Sequence, residues 1–390
     1  MRKVYILLLL IFAIFASACS TQVSEDNQSS NSNNSNSNNT ENYQVGVVFP
    51  LSGNAAEHGI DMLNGLEYAV DEVNSSGGIN GIPVELVVED GKASPKDTVN
   101  ASQKLITVDK VPAIFTGFSS PVLATAPIAD QNKVVLINSA AATPALAEAG
   151  DYLINTLVLQ SVELDYIAKY ATEELGLKTM GIIYQNNDLG LGTKDALEIY
   201  MKNYGGEVVA AESFEVGALD FRTQLSKIRS AKPDALYLAT AGKDSPLIIK
   251  QARELGITSQ FFGYHALEMP PEYMEIAGDF ANGTIYTSSA TEYDVEFAKK
   301  WAEDHDGKEI VFTNAMYYDA AKMLFKGMEH VINNGDDLSG ETLRSAIFEI
   351  NTFDGIAGNM RIPDNGNAIK EVSIKQIKDG EFTTLKVIEP

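Results

Sequence analysis

Cysteine is nearly missing from this chain. Cys19 is the only one in 390 residues, so no internal disulfide can form, and a cysteine nucleophile or cysteine-based metal site in the body is excluded. Histidine and tryptophan are scarce as well, at 4 and 1, and no two histidines have metal-ligand spacing. Positive charge is in deficit: 29 Lys and Arg against 53 Asp and Glu leave −24. That balance repels nucleic acid and anionic lipid surfaces and removes both as partners. Beyond residue 42 no long uncharged apolar run occurs, so the body is expected to hold no membrane span. The phosphate-cradling Gly-x-x-x-x-Gly-Lys-Ser/Thr loop and the Gly-x-Ser-x-Gly elbow are both absent. Gly190-Leu191-Gly192 follows a predicted strand and opens a predicted helix, but Asp195 stands where a dinucleotide fingerprint needs its third glycine. The motifs therefore point to no enzyme, cofactor or metal.

What is present begins at the N-terminus. Arg2 and Lys3 lead into 12 apolar residues, Val4 to Phe15, followed by small residues. A basic start, a short apolar core and a small-residue cleavage site make a secretory signal. The run is too short to span a bilayer, which needs ~20 residues. Ala16-Ser17-Ala18-Cys19 resembles a lipoprotein box, which implies cleavage after residue 18 and a lipid on Cys19. From Ser20 to Asn42, 19 of 23 residues are Ser, Thr, Asn or Gln. Such a tract cannot bury enough apolar surface to fold, and as a coil it spans roughly 26 Å. Residues 1–18 are thus expected to be the signal and 19–42 a lipidated cysteine with a polar linker, placing the body outside the cell membrane. Loss of the +2 on Arg2 and Lys3 leaves the mature chain at −26.

The body, 348 residues from Tyr43 to Pro390, exceeds the usual size of one core and suggests two domains. Gln44–Phe49 reads as a buried strand. Gly59–Asn74 then sets Met62, Leu63, Leu66, Ala69, Val70 and Val73 at helical spacing. Strands at 84–89, 113–115 and 134–137 alternate with helices at 95–108 and 122–131. After Gly150 the pattern restarts: helices at 161–175, 190–204, 221–231 and 245–255, with strands at 179–184, 207–212, 235–239 and 260–263. This βα order predicts an α/β fold of two similar lobes, each a parallel sheet covered on both faces. Ligands of such sheets sit beyond the carboxyl ends of the strands, and two facing lobes can share one cleft.

Several segments resemble the type I periplasmic binding-protein family, in its leucine/isoleucine/valine-binding branch. They are Pro50-Leu51-Ser52-Gly53 with Gly59, Asn64-Gly65 and Ala69-Val70-Asp71-Glu72-Val73-Asn74; Gly117-Phe118-Ser119-Ser120 running into Ala126-Pro127; and Asn138-Ser139-Ala140-Ala141-Ala142-Thr143-Pro144. Weaker echoes are Tyr318-Asp319-Ala320 and Phe353-Asp354-Gly355. The resemblance implies two doubly wound parallel-sheet lobes joined by a three-strand hinge. It places lobe 1 at 44–160 plus 288–352 and lobe 2 at 161–287 plus 353–390. It further implies a monomeric receptor that passes a small solute to ABC permease subunits, with no cofactor.

The same resemblance assigns ligand-binding positions. Ser119, Ser120, Ser139, Ala140 (through its backbone) and Thr143 would hold a ligand carboxylate, a role that free helix N-termini suit. The alternative for these hydroxyls is helix capping. His58 falls where an aromatic packs on the ligand, Leu189 where the second lobe often offers a tyrosine, and His265 where an acidic residue pairs the ligand's ammonium. Neutral His265 accepts only one hydrogen bond; Asp188 and Glu268 are other acidic candidates. A branched-chain or other hydrophobic amino acid is expected first, with an aromatic carboxylate or small amide as the alternative. A sensory lipoprotein would share the same cleft. Tyr317 and Tyr318 are expected in the core, and His305 and His330 on exposed helix faces.

Overall fold

Strand and helix alternate from the start of the body as the apolar periodicities predict. The computed structural model describes residues 42–240, 243–268, 272–289 and 293–389; the signal, Cys19 and nearly all of the linker lie outside them. In chain order come β1 (Tyr43–Phe49), α1 (Ala56–Ser75), β2 (Val84–Asp90), α2 (Pro95–Lys104), β3 (Ala113–Thr116), α3 (Ser119–Asn132), β4 (Val135–Asn138) and β5 (Leu153–Asn155). The second series is α4 (Gln160–Lys169), β6 (Thr179–Gln185), α5 (Asp188–Asn203), β7 (Glu207–Phe214), α6 (Arg222–Ala231), β8 (Ala235–Ala239), α7 (Asp244–Glu254), β9 (Gln260–Tyr264), α8 (Tyr273–Ala277) and β10 (Ile285–Ser288). Then follow α9 (Val295–Asp304), α10 (Phe312–Asn333), α11 (Gly340–Ile350), β11 (Thr352–Phe353), β12 (Met360–Arg361), β13 (Val372–Lys378) and β14 (Glu381–Ile388).

Two main sheets result. The first has five parallel strands in the order β2-β1-β3-β4-β5. The second has seven, β14-β13-β10-β9-β8-β6-β7, parallel from β10 to β7 and antiparallel at β13 and β14. Read from β7, its parallel part repeats the order of the first sheet. Each sheet is apolar on both faces because side chains alternate along a strand. In β3, Ala113 and Phe115 join the core under α1 and α10, while Ile114 joins the core under α2 and α3. In β8, Leu236 and Leu238 face α6 and α7, while Ala235, Tyr237 and Ala239 face α4 and α5. Helices α1 and α10 approach so closely that a Cβ on Gly65 would lie 2.2 Å from the Asn314 carbonyl oxygen.

The chain passes between the lobes after β5, after β10 and before β13. Phe353, Met360, Ile362 and Ala368 pack in the first lobe's core. The stretch from 353 to 368, expected in lobe 2, therefore belongs with the first sheet, and the last passage falls between Ala368 and Val372. The cause is apolar: Phe353 and Met360 pair on a short ribbon whose buried side covers that core.

Candidate functional site

In the first sheet the chain winds outward in opposite directions from β1 and β3, so a crevice opens at their carboxyl ends. The turn leaving β3 carries the sharpest backbone feature in it. Phe118 sits at φ 66°, ψ 133° and is the N-cap of α3, a conformation that costs energy for a bulky residue. It makes Ser119 and Ser120 the first two residues of the helix itself, three residues before the predicted start at 122. No side chain caps α3, so the capping alternative does not apply at this end. Ser119 is nearly buried, and neither serine hydroxyl has a hydrogen-bond partner among the described residues. Free hydroxyls beside unpaired first-turn N–H groups form a receptor for an anionic oxygen.

The next turn, after β4, is built around Asn138. Its side chain accepts the N–H groups of Ala140 (3.2 Å) and Ala141 (2.8 Å) and donates to the Ala141 carbonyl and to Asn155. The Ala140 N–H is thus already engaged within the turn. Ser139 is fully buried, its hydroxyl bonded to Thr156 Oγ1 and its N–H to the Tyr317 hydroxyl, which in turn donates to the Thr116 carbonyl at 2.7 Å. Tyr317 is core, as expected. Thr143 Oγ1 reaches across the lobe boundary to the Asp188 carbonyl at 3.1 Å. A Cβ on Gly192 would come within 2.8 Å of that Oγ1 and 3.2 Å of Pro144 Cδ. A Cβ on Gly190 would lie 2.0 Å from the Gln185 carbonyl oxygen. The two glycines of the Gly-x-Gly stretch therefore each answer a close contact, one within the lobe and one between lobes.

On the second lobe, Leu189 is buried in a small cluster with Tyr264 and Ala266. His265 is 1% exposed, stacked on Phe312 of the first lobe with ring centroids 4.5 Å apart and planes 11° from parallel. Its Nδ1 lies 3.7 Å from Glu163 Oε1. Glu163 is fully buried, and neither carboxylate oxygen has a hydrogen bond; burial drives its pKa upward, with His265 opposing. Gln160 Nε2 and the Tyr237 hydroxyl are also buried without a partner. Gln160 is held by its backbone to the Ala142 carbonyl (2.8 Å) and by its side chain to Thr193 (2.6 Å). The structure thus gathers Thr143, Leu189 and His265 around Gln160 and Glu163, two residues that the sequence reading passed over. The signal was present: Gln160 and Glu163 share the buried stripe of α4 with Leu164, Ile167 and Ala168, at helical spacing.

The other acidic candidates stand differently. Glu268 accepts from Lys375 (2.8 Å) and the Tyr286 hydroxyl (2.6 Å) and is not free. Asp188 is exposed at the start of α5. His58 is half-buried in the first turn of α1, facing Lys243 and Glu272 of the second lobe; burial foremost, then the Lys243 charge, lowers its pKa, against Glu57 and Glu272. His305 and His330 are half-buried rather than exposed, His305 stacked on Trp301 at 3.9 Å. A groove of 1380 Å³ also runs between α1, residues 293–314 and the second lobe. Of the candidates it contains only Glu268, and Glu57, Asp61, Asp304, Asp306 and Glu309 outnumber Lys308 and Lys375 on its walls, which disfavours a carboxylate there.

A family model for periplasmic binding proteins matches residues 42–381. The leucine-, isoleucine-, valine-, threonine- and alanine-binding protein of Pseudomonas aeruginosa is 24% identical over 332 residues, 83% of this chain and 86% of that protein. A solved leucine-binding protein from Thermotoga maritima is 28% identical, with a TM-score of 0.79 over 89% of this chain and 99% of that one. A solute-binding protein of an ABC transporter from Rhodopseudomonas palustris, solved with 3,4-dihydroxybenzoic acid, has the same fold: TM-score 0.78, 22% identity, 89% of this chain and 97% of that one.

Proposed function

The chain belongs to the periplasmic binding-protein family and is a substrate-binding protein of the ABC-transporter type; from that premise we propose that it captures a branched-chain or other hydrophobic amino acid and delivers it to a membrane permease. The observation that carries this reading is the pair of unpartnered hydroxyls, Ser119 and Ser120, on the uncapped first turn of α3. A carboxylate placed there takes two hydroxyl donors, free N–H groups and the positive end of the helix. The Asn138-centred turn, with Ser139 and Ala140, shapes the neighbouring wall. His58 and Leu189 flank the solute's side chain, and Thr143 closes the site by bonding across the lobe boundary. Solute held between the lobes favours the closed form because only that form makes both sets of contacts. The permease reads this closed form. Cys19, lipidated, tethers the clamp outside the membrane through the polar linker.

A second reading, an aromatic or other non-amine carboxylate, is favoured by one observation: His265, not an acid, stands at the end of β9. A thermal-shift screen of amino acids against organic acids and amides separates the two. Solute at 100 times its dissociation constant stabilises the fold by ~2.7 kcal/mol. Ser119→Ala with Ser120→Ala removes two hydrogen bonds to a charged group, each worth ~1.5–3 kcal/mol, so affinity should fall by roughly two orders of magnitude or more. Unchanged affinity in the double variant would move the site elsewhere.

A further inference from the structure

A carboxylate buried with neither oxygen hydrogen-bonded is costly unless it carries a proton or meets a cation. Glu163 is in that position. The charged and titratable groups around it are few. His265, after β9, has its Nδ1 3.7 Å away. Tyr264 on β9 and Tyr237 on β8 are buried neutral phenols nearby. Glu268 adds a second, more distant negative charge, but it is neutralised by Lys375 at 2.8 Å. Among the described residues, then, no Lys or Arg balances Glu163, and its one ion-pair neighbour is an imidazole. No hydrogen bond to His265 Nε2 is formed among the described residues, and its ring lies flat on Phe312 of the opposite lobe, at the boundary where the lobes meet.

We propose that Glu163 and His265 hold one proton between them in the empty clamp and release it to solvent when the ammonium end of an amino acid arrives. In the loaded state His265 is neutral. Its Nδ1–H donates to the ionised Glu163, and its Nε2 lone pair accepts an N–H of the solute's ammonium. The bookkeeping closes: one positive charge leaves the pair as a proton, and one enters as the ligand. The negative charge absent from the end of β9 is thus supplied from α4 and relayed through the imidazole. This rests on the carboxylate site at α3 and names the solute as zwitterionic.

The test is isothermal titration of the whole mature protein between pH 5 and 7, in buffers of differing ionisation enthalpy. Leucine, valine and phenylalanine are each paired with the deaminated acid: 4-methylpentanoate, 3-methylbutanoate and 3-phenylpropanoate. The expected result is release of up to about one proton with the amino acids and none with the deaminated acids. A matching preference for the amine of roughly 10- to 100-fold is expected. Glu163→Gln should abolish the release and most of that preference, read as the ratio of amino-acid to deaminated-acid affinity within the same variant. His265→Gln, titrated alongside, gives the same readout if the first variant folds poorly. Equal binding of both members of each pair, or amino-acid binding with no buffer dependence across that range, overturns this inference and leaves the carboxylate site standing. Failure of every carboxylate to bind, benzoate included, overturns both.

Discussion

Among single residues, Asp319 shows most directly how a short motif becomes structure. Its carboxylate accepts the N–H groups of Ile356 (2.8 Å) and Ala357 (3.0 Å), and a Cβ on Gly355 would lie 2.3 Å from Asp319 Oδ2. The Tyr-Asp-Ala and Phe-Asp-Gly segments, far apart in sequence, are two halves of one dock. Burial pushes the Asp319 carboxyl from 3.8 up to about 6, against the Lys370 charge. The folded state therefore holds this proton to higher pH than the unfolded chain does. Its stabilising contribution is complete below pH ~4 and is lost as pH rises through ~6, by up to ~3 kcal/mol. Asp319→Asn does not titrate, and it sets an amide against one of the N–H donors at a cost of ~1–3 kcal/mol. Urea midpoints should show a larger gap between the two proteins at pH 4.5 than at pH 7.5; a constant gap would contradict this. Ser119 and Ser120 were legible in the same way, from hydroxyls placed at a strand-to-helix turn. Glu163 was legible only through the stripe it shares with Leu164, Ile167 and Ala168; an acidic residue on such a stripe reads as its solvated edge until burial is known.

At the level of elements, nearly every strand and helix of the two βα series was legible, since fully buried parallel strands are continuous apolar runs and their covering helices carry an apolar stripe. Boundaries moved where tertiary contact decided them. Helix α3 starts at Ser119 because Phe118 takes the strained turn, and α5 starts at Asp188 because the Asn187 side chain caps Gly190. The return to the second lobe was misplaced by some 15 residues, since the ribbon β11–β12 is too short to leave a periodic pattern. The meeting of α5 with the Pro144 turn yields a prediction at this scale. Gly192→Leu drives a side chain into Thr143 and Pro144 without entering either core. Such overpacking costs ~1–3 kcal/mol, and here it falls on the closed arrangement. Solute affinity should drop roughly 5- to 150-fold, while the unfolding midpoint without solute stays near wild type. A large loss of midpoint with affinity intact would place this contact in the fold rather than in closure.

Taken whole, the molecule is two copies of one winding order facing each other, and what the sequence could not convey is how they meet. Among the described residues the meeting includes the Thr143 bond to the Asp188 carbonyl, the approach of Gly192 to Pro144, the stack of His265 on Phe312, and Lys243 standing 4.0 Å from Glu57. An exposed pair such as the last contributes little, so these contacts alone hold the lobes together weakly, and a solute bonded to both can set the balance. The near absence of cysteine turns this into a direct experiment. With Cys19→Ser the chain has no thiol, so a cysteine pair at Thr143 and Gly192 can bond only to itself or between molecules. A Cβ on Gly192 lies 2.8 Å from the Thr143 Oγ1 position, which puts two cysteines there within disulfide reach. Oxidised with solute present, this variant should retain the solute through dilution; oxidised while empty, it should admit none; a reductant should restore exchange in both cases. Free exchange by the oxidised protein, with the cross-link verified by mass, would mean that solute enters without the lobes parting, and closure would no longer be the mechanism.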